Sequence, residues 1–161
     1  VIALGIDPGS RRTAVSGLTD AGAVTSRVLA IPADLRGARR LVHARNVLAA
    51  HLAEHRDVAV VAVEIPWGGA RSSFVLLSLA GVILEAAQTA HPGAVVLELT
   101  TGEWKRETVG HGAATKEAVL EHAHGIGLVG DDQDAADALC MAQAAFERWT
   151  RALEQARRAA A

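Results

Sequence analysis

Four acidic residues punctuate apolar segments of this chain in a way that could hold a cation. Asp7 closes the run VIALGID, Glu64 closes VAVVAVE, and Asp134 and Asp137 stand in DDQDAADAL, ahead of an alanine-rich stretch. A carboxylate at the end of a buried strand is costly unless something compensates its charge. Asp134 and Asp137 are three apart, so on a helix both leave from one face. Four carboxylates converging without cations would repel, and some would have to stay protonated. Hard divalent ions such as Mg²⁺ or Mn²⁺ remove that repulsion and prefer oxygen ligands. Two of them about 3.5–4 Å apart would polarise a phosphate, generate hydroxide and steady a leaving oxygen. Each residue also has a plainer reading. Asp-Pro-Gly is a common turn, a glutamate after a strand is commonly solvated, and DDQD can simply cap a helix. Their joint placement at segment ends favours the catalytic reading.

The elements that must position these groups are legible in outline. Residues 1–7, 13–19 and 24–31 read as three strands joined by hairpins, with DAGA as the second turn. Apolar positions recur at helical spacing from Asp34 to His55, with arginines between them. VAVVAV at 58–63 suits a strand buried on both faces, and IPWGGA at 65–70 reads as a loop. Residues 71–91 form a helix that is apolar nearly all round, followed by a strand at 95–99. Two shorter helices at 100–110 and 114–124 flank GHG, and a last helix runs from Asp134 to about Ala160 with a tail expected to fray from about 150. Three hairpin strands followed by two strands reached through helical crossovers give a mixed α/β sheet with helices on its faces.

The chain of 161 residues suits a single domain, and a net charge of −2 argues mildly against non-specific nucleic-acid binding. That average conceals basic clusters: Arg11 and Arg12; Arg36, Arg39, Arg40 and Arg45; Lys105 and Arg106; and arginines near the C-terminus. The single cysteine, Cys140, excludes an internal disulfide framework and is expected in the core. No basic leader-like segment precedes the first strand, and Phe74 to Ala87 falls short of a membrane span, so a cytoplasmic protein is expected. Trp104 and Trp149 read as packing residues and His111 as a surface-loop residue.

Four ordered blocks, GIDPGSRRTAV, VAVVAVEIPWGGARSS, TTGEWKRETVGHGAATKEAV and DDQDAADALCMAQA, resemble the RuvC-type Holliday junction resolvases of the RNase H-like superfamily. The resemblance covers nearly the whole chain. It implies an RNase H-like fold with a mixed five-stranded sheet, three antiparallel strands and then two parallel ones. It implies that Asp7, Glu64, Asp134 and Asp137 bind two Mg²⁺ or Mn²⁺ ions, with Lys105 and Lys116 at the family's lysine positions. Arg11, Arg12, Trp67, Arg71 and Arg106 are the expected DNA contacts. Where the family usually has Glu-Gln-x-Phe, this chain has Glu-Ile-Pro-Trp, which puts an inherited cleavage-site preference in doubt. The implied activity is metal-dependent hydrolysis of four-way junctions leaving 5′-phosphate and 3′-hydroxyl ends. A two-fold homodimer built on helix 71–91 would match the symmetry of such DNA. The composition, rich in Ala and Arg, points to a phage or high-GC bacterial source. Three rivals stand beside this reading. They are a YqgF-like or other RNase H-like nuclease cutting branched DNA or RNA, an actin-like nucleotide binder, and a non-catalytic junction-binding protein.

Overall fold

A computed structural model of the chain describes residues 1–66 and 74–160. Five strands, β1 (Ile2–Pro8), β2 (Arg12–Thr19), β3 (Val24–Ala30), β4 (Val58–Glu64) and β5 (Val95–Leu99), form one sheet in the order β3-β2-β1-β4-β5. The first three strands pair antiparallel, and β4 and β5 join parallel to β1. The mixed sheet expected from the hairpin-then-crossover pattern is therefore present. Five helices complete the fold: α1 (Gly37–Leu52), α2 (Phe74–Ala90), α3 (Thr101–Thr108), α4 (Lys116–Gly125) and α5 (Gln133–Ala159).

Strand parity divides the core into two layers. Along β1, Leu4 and Ile6 pack with Leu48, Leu52 and Ile83 of α1 and α2. Ala3 points the other way, into a cluster built largely from α5. On β4, Val61 and Val63 join the first layer, and Val60 and Ala62 the second. Successive side chains alternate faces, so Asp7 follows Ala3 and Gly5, while Glu64 follows Val60 and Ala62, all toward the α5 side. The parallel register pairs Ile6 with Val63, which brings Asp7 and Glu64 level on neighbouring strands.

The helix α5 can lie close to this face because its inner side is small. Ala135, Ala136, Ala138, Ala142, Ala144 and Ala145 are all buried. Directly beneath, Gly5 has no room for a side chain: a Cβ there would lie 1.9 Å from the Ala138 carbonyl oxygen and 2.6 Å from the Ala142 nitrogen. The hydroxyl of Ser16 on β2, fully buried, donates to the Ala135 carbonyl at 2.9 Å and fixes the first turn of α5 against the sheet. The side chain of Asp132 caps that turn by accepting from the Ala135 amide at 3.1 Å.

Several helix boundaries differ from expectation by a few residues, most of all those of α1, which ends three residues early at Leu52. Helix α1 begins at Gly37, three residues later than the sequence periodicity suggested, after a capless Arg36. Helix α5 runs to Ala159, close to the expected end at about Ala160, and residues 151–160, the stretch expected to fray, are exposed throughout. Good helix formers such as Ala, Arg, Glu and Gln fill those last turns, so local propensity carries the helix past the core. Among the described residues, no helix is long and apolar enough to cross a membrane.

Because both atoms facing Gly5 belong to backbone, a methyl group there cannot be accommodated by rotamer change. Gly5→Ala is expected to destabilise the protein by about 3 kcal/mol or more, measured by denaturant unfolding. An unchanged midpoint would contradict this packing.

Candidate active site

The C-terminal ends of β1 and β4 meet the first turns of α5, and the four acidic residues gather there. Asp7 and Glu64 arrive from adjacent strands, and Asp134 and Asp137 from one face of the helix. Electrostatic coupling records their proximity. Burial first, then the Glu64, Asp137 and Asp134 carboxylates, push the Asp7 carboxyl from 3.8 up to about 8, against the pull of the Arg12 guanidinium. Burial likewise raises Asp137, with Glu64 and Asp134 adding to the rise. A hydrogen bond from Gln133 and the positive charge of Lys105 oppose it.

Neighbouring side chains restrain the cluster. Glu64 is held at both oxygens by α3: the Thr101 hydroxyl donates to Oε1 at 2.7 Å and the Trp104 indole N–H donates to Oε2 at 2.9 Å. Gln133 donates to Asp137 Oδ1 at 2.8 Å. Arg12 reaches across from β2, donating through Nε to Asp134 and through its terminal nitrogen to both oxygens of Asp132 at 2.8 and 2.9 Å. Lys105 donates to the Ala114 carbonyl at 2.9 Å and lies 5.5 Å from the Trp104 ring centre, within electrostatic reach of Asp137.

These contacts decide which expectations the geometry brings together. Asp7, Glu64, Asp134, Asp137 and Lys105 share the site. Lys116 is the exposed first residue of α4, just after the N-cap Thr115. Arg11 is exposed, and Arg106 is exposed with its guanidinium beside Gly112. Arg12, expected as a phosphate contact, makes a forked ion pair with Asp132 and Asp134 in the structure. Trp67 and Arg71 lie outside the described residues. Cys140 is fully buried, as expected, and its thiol is pushed up to about 12 by burial and the nearby Asp137 charge. Trp149 is half-buried against the α5 core, again as expected. Trp104, read from sequence as packing alone, is completely buried but also bonds Glu64. Thr101 and Gln133 carry no sequence signal for their roles, which depend on tertiary placement.

Among the described residues, no three His, Cys, Asp or Glu side chains already stand as a metal-binding group. Glu64 accepts from α3, and Asp134 accepts from Arg12. The donor set nonetheless fits a hard divalent cation. It consists of carboxylate oxygens, and Asp7, raised first by burial and then by the Glu64, Asp137 and Asp134 charges, sits in a deficit of positive charge. Arg12 partly offsets that deficit from the edge.

Comparison with known proteins places this site in context. The family model described as "Crossover junction endodeoxyribonuclease RuvC" matches residues 3–145. The protein of that name from Anaeromyxobacter sp. (strain K) is 40% identical over 149 residues, covering 88% of this chain and 78% of its own. Its namesake from Syntrophomonas wolfei is 36% identical over 149 residues, covering 86% and 84%. The solved structure of Thermus thermophilus RuvC aligns with a TM-score of 0.68 at 25% identity, over 88% of this chain and 91% of that one. The same protein solved with a Holliday junction substrate shares the fold, with a TM-score of 0.71 at 24% identity over 91% and 94% of the two chains.

The raised pKa of Asp7 has a definite sign in stability. Folded Asp7 binds its proton more tightly than it does unfolded, so its contribution is complete below about 3.8 and is lost as pH rises toward about 8; Asp137 shifts in the same direction. His55 and His91, lowered chiefly by burial, act in the opposite direction as pH rises through their range. The difference between wild type and Asp7→Asn isolates the carboxylate. In metal-free buffer the variant is expected to gain on wild type, by on the order of a few kcal/mol between acid and pH 8, in thermal unfolding across pH. A difference independent of pH would contradict the assignment.

Proposed function

The chain belongs to the RuvC family of crossover junction endodeoxyribonucleases, and on that premise we propose that it resolves four-way DNA junctions by metal-dependent hydrolysis. Paired cuts leave 5′-phosphate and 3′-hydroxyl ends. The observation that carries this reading is the convergence of Asp7, Glu64, Asp134 and Asp137, close enough that the other three carboxylates add to the effect of burial in raising Asp7 to about 8.

Asp7, Glu64, Asp134 and Asp137 would hold the divalent cations, Mg²⁺ or Mn²⁺, and we propose two per site. Bound there, the cations would polarise the phosphodiester and activate water for in-line attack. The chain's own residues supply positioning and charge. Asp7 lies between the acidic side chains of β4 and α5 and is the natural shared ligand. Lys105, held by the Ala114 carbonyl, adds positive charge beside Asp137 that would offset charge building on the phosphate. Lys116 is proposed to approach the DNA from the exposed head of α4. Arg11 and Arg106 are exposed cations suited to phosphate. Arg12 joins them once a cation takes over its partner Asp134. Trp67 and Arg71 are proposed as contacts to the opened junction, Trp67 by stacking on a base.

A two-fold junction calls for a two-fold enzyme, and α2 offers a surface for one. Phe74 is 84% exposed and Leu77 47% exposed on a helix whose inner side is buried, an unusual display of apolar surface. We propose a homodimer through this helix, acting in the cytoplasm. Sedimentation is expected to give a dimer for wild type and a shift toward monomer for Leu77→Asp; a monomer at all concentrations would contradict it.

Cleavage assays test the activity directly. A labelled four-way junction with Mg²⁺ or Mn²⁺ is expected to receive symmetric paired nicks, while linear duplex is spared. Asp7→Asn is expected to lose at least a hundredfold in rate (about 2.7 kcal/mol) while still binding the junction. Equal cutting of junction and flap substrates would widen the reading to branched DNA, and absence of cutting with either metal would overturn catalysis.

A further inference from the structure

We infer that Trp104, together with Thr101, is a positioning residue for Glu64, fixing that carboxylate for cation binding before any cation arrives. The inference rests on the metal reading of the site and goes beyond it in naming the groups that preorganise one ligand. Three features of the structure converge on it.

Both oxygens of Glu64 are engaged, each by a different donor, and both donors come from one helix. Thr101 and Trp104 are three residues apart, so their side chains leave α3 on the same face. That helix is itself anchored at its start. Thr100 and Glu103 form a reciprocal capping box, with the Thr100 amide donating to Glu103 at 2.8 Å. The entry to α3 is also tied to the end of β4, because the Ile65 amide donates to the Leu99 carbonyl at 2.9 Å and β5 pairs Leu99 with Glu64. Strand end, helix start and carboxylate therefore form one rigid unit.

A buried indole N–H needs an acceptor, and Trp104, at 0% exposure, finds it in Glu64. Packing alone would be met by an aliphatic residue at that position. Each carboxylate oxygen has more than one lone-pair direction, so one hydrogen bond apiece leaves Glu64 able to ligate. Outer hydrogen-bonding partners of this kind orient ligands, and losing one typically weakens metal affinity by about 10–100-fold.

The test is calorimetric titration of Mn²⁺ into wild-type protein, Trp104→Phe, Thr101→Val and Thr101→Ser, with thermal unfolding of each as a control. Thr101→Val removes the hydroxyl isosterically at an exposed site, so it guards against a Trp104→Phe variant that fails to fold. Wild type and Thr101→Ser are expected to bind alike, while Trp104→Phe and Thr101→Val bind on the order of tenfold more weakly. In cleavage assays, the Mn²⁺ concentration for half-maximal rate is expected to rise by a similar factor, with the plateau rate largely recovered. A purely structural role would lower the unfolding temperature without moving that half-saturation point. Unchanged or tighter Mn²⁺ binding in a folded Thr101→Val or Trp104→Phe protein overturns the assignment while leaving the metal reading intact. Wild-type protein that binds no Mn²⁺ overturns the metal reading and this inference with it.

Discussion

The backbone of α5 presses against β1 at Gly5 so closely that no Cβ could stand between them. Much else in the molecule follows from that approach. A helix carried at ordinary side-chain distance would hold Asp134 and Asp137 farther from the strand ends. Alanine on the inner face of α5 and glycine on β1 bring it nearer, and the Ser16 bond to the Ala135 carbonyl sets its axial position. Parity along β1 and β4 then delivers Asp7 and Glu64 to the same side, in register. Close packing, an apolar matter, thus creates an electrostatic problem at the ends of the two inner strands β1 and β4.

The polar surroundings read as a partial answer to that problem. Arg12 takes Asp134 and Asp132, Gln133 takes Asp137, and α3 takes Glu64. No such partner relieves the charge at Asp7 enough to offset its burial and its acidic neighbours, and its proton affinity rises accordingly. A site whose innermost carboxyl holds its proton for want of a compensating charge, and whose outer carboxylates are already held by hydrogen bonds, gains from a small hard cation. The Arg12 fork is exposed and solvent-screened, so it contributes modestly to stability. Its greater consequence is to occupy Asp134 in the absence of a stronger positive charge.

Apolar runs, turn signals and helical spacing made the mixed sheet and the four carboxylates legible in the sequence, though not the order of the strands. Those signals are local: Asp7 and Glu64 terminate apolar runs that must be buried, and Asp134 and Asp137 open a helix three residues apart. The partners of the carboxylates were not legible, because they depend on distant chain segments meeting. Arg12 and Asp134 are separated by 122 positions, and nothing near Arg12 in sequence distinguishes a phosphate contact from an ion pair. Trp104 carries an apolar body and one polar atom, and sequence shows the first more readily than the second. The helix through the α5 tail was legible too, from its run of good helix formers. Trp67 and Arg71 rest on the family resemblance, since they lie outside the described residues.

The most direct test of the central claim, that the converged carboxylates form a divalent-cation site, is anomalous diffraction from crystals soaked in Mn²⁺. Anomalous peaks in contact with Asp7 and shared with Glu64, Asp134 or Asp137, with Arg12 withdrawn from Asp134, are the result this account predicts. Well-ordered crystals with no peak at the cluster, and with Arg12 still paired to Asp134 at saturating Mn²⁺, would contradict it.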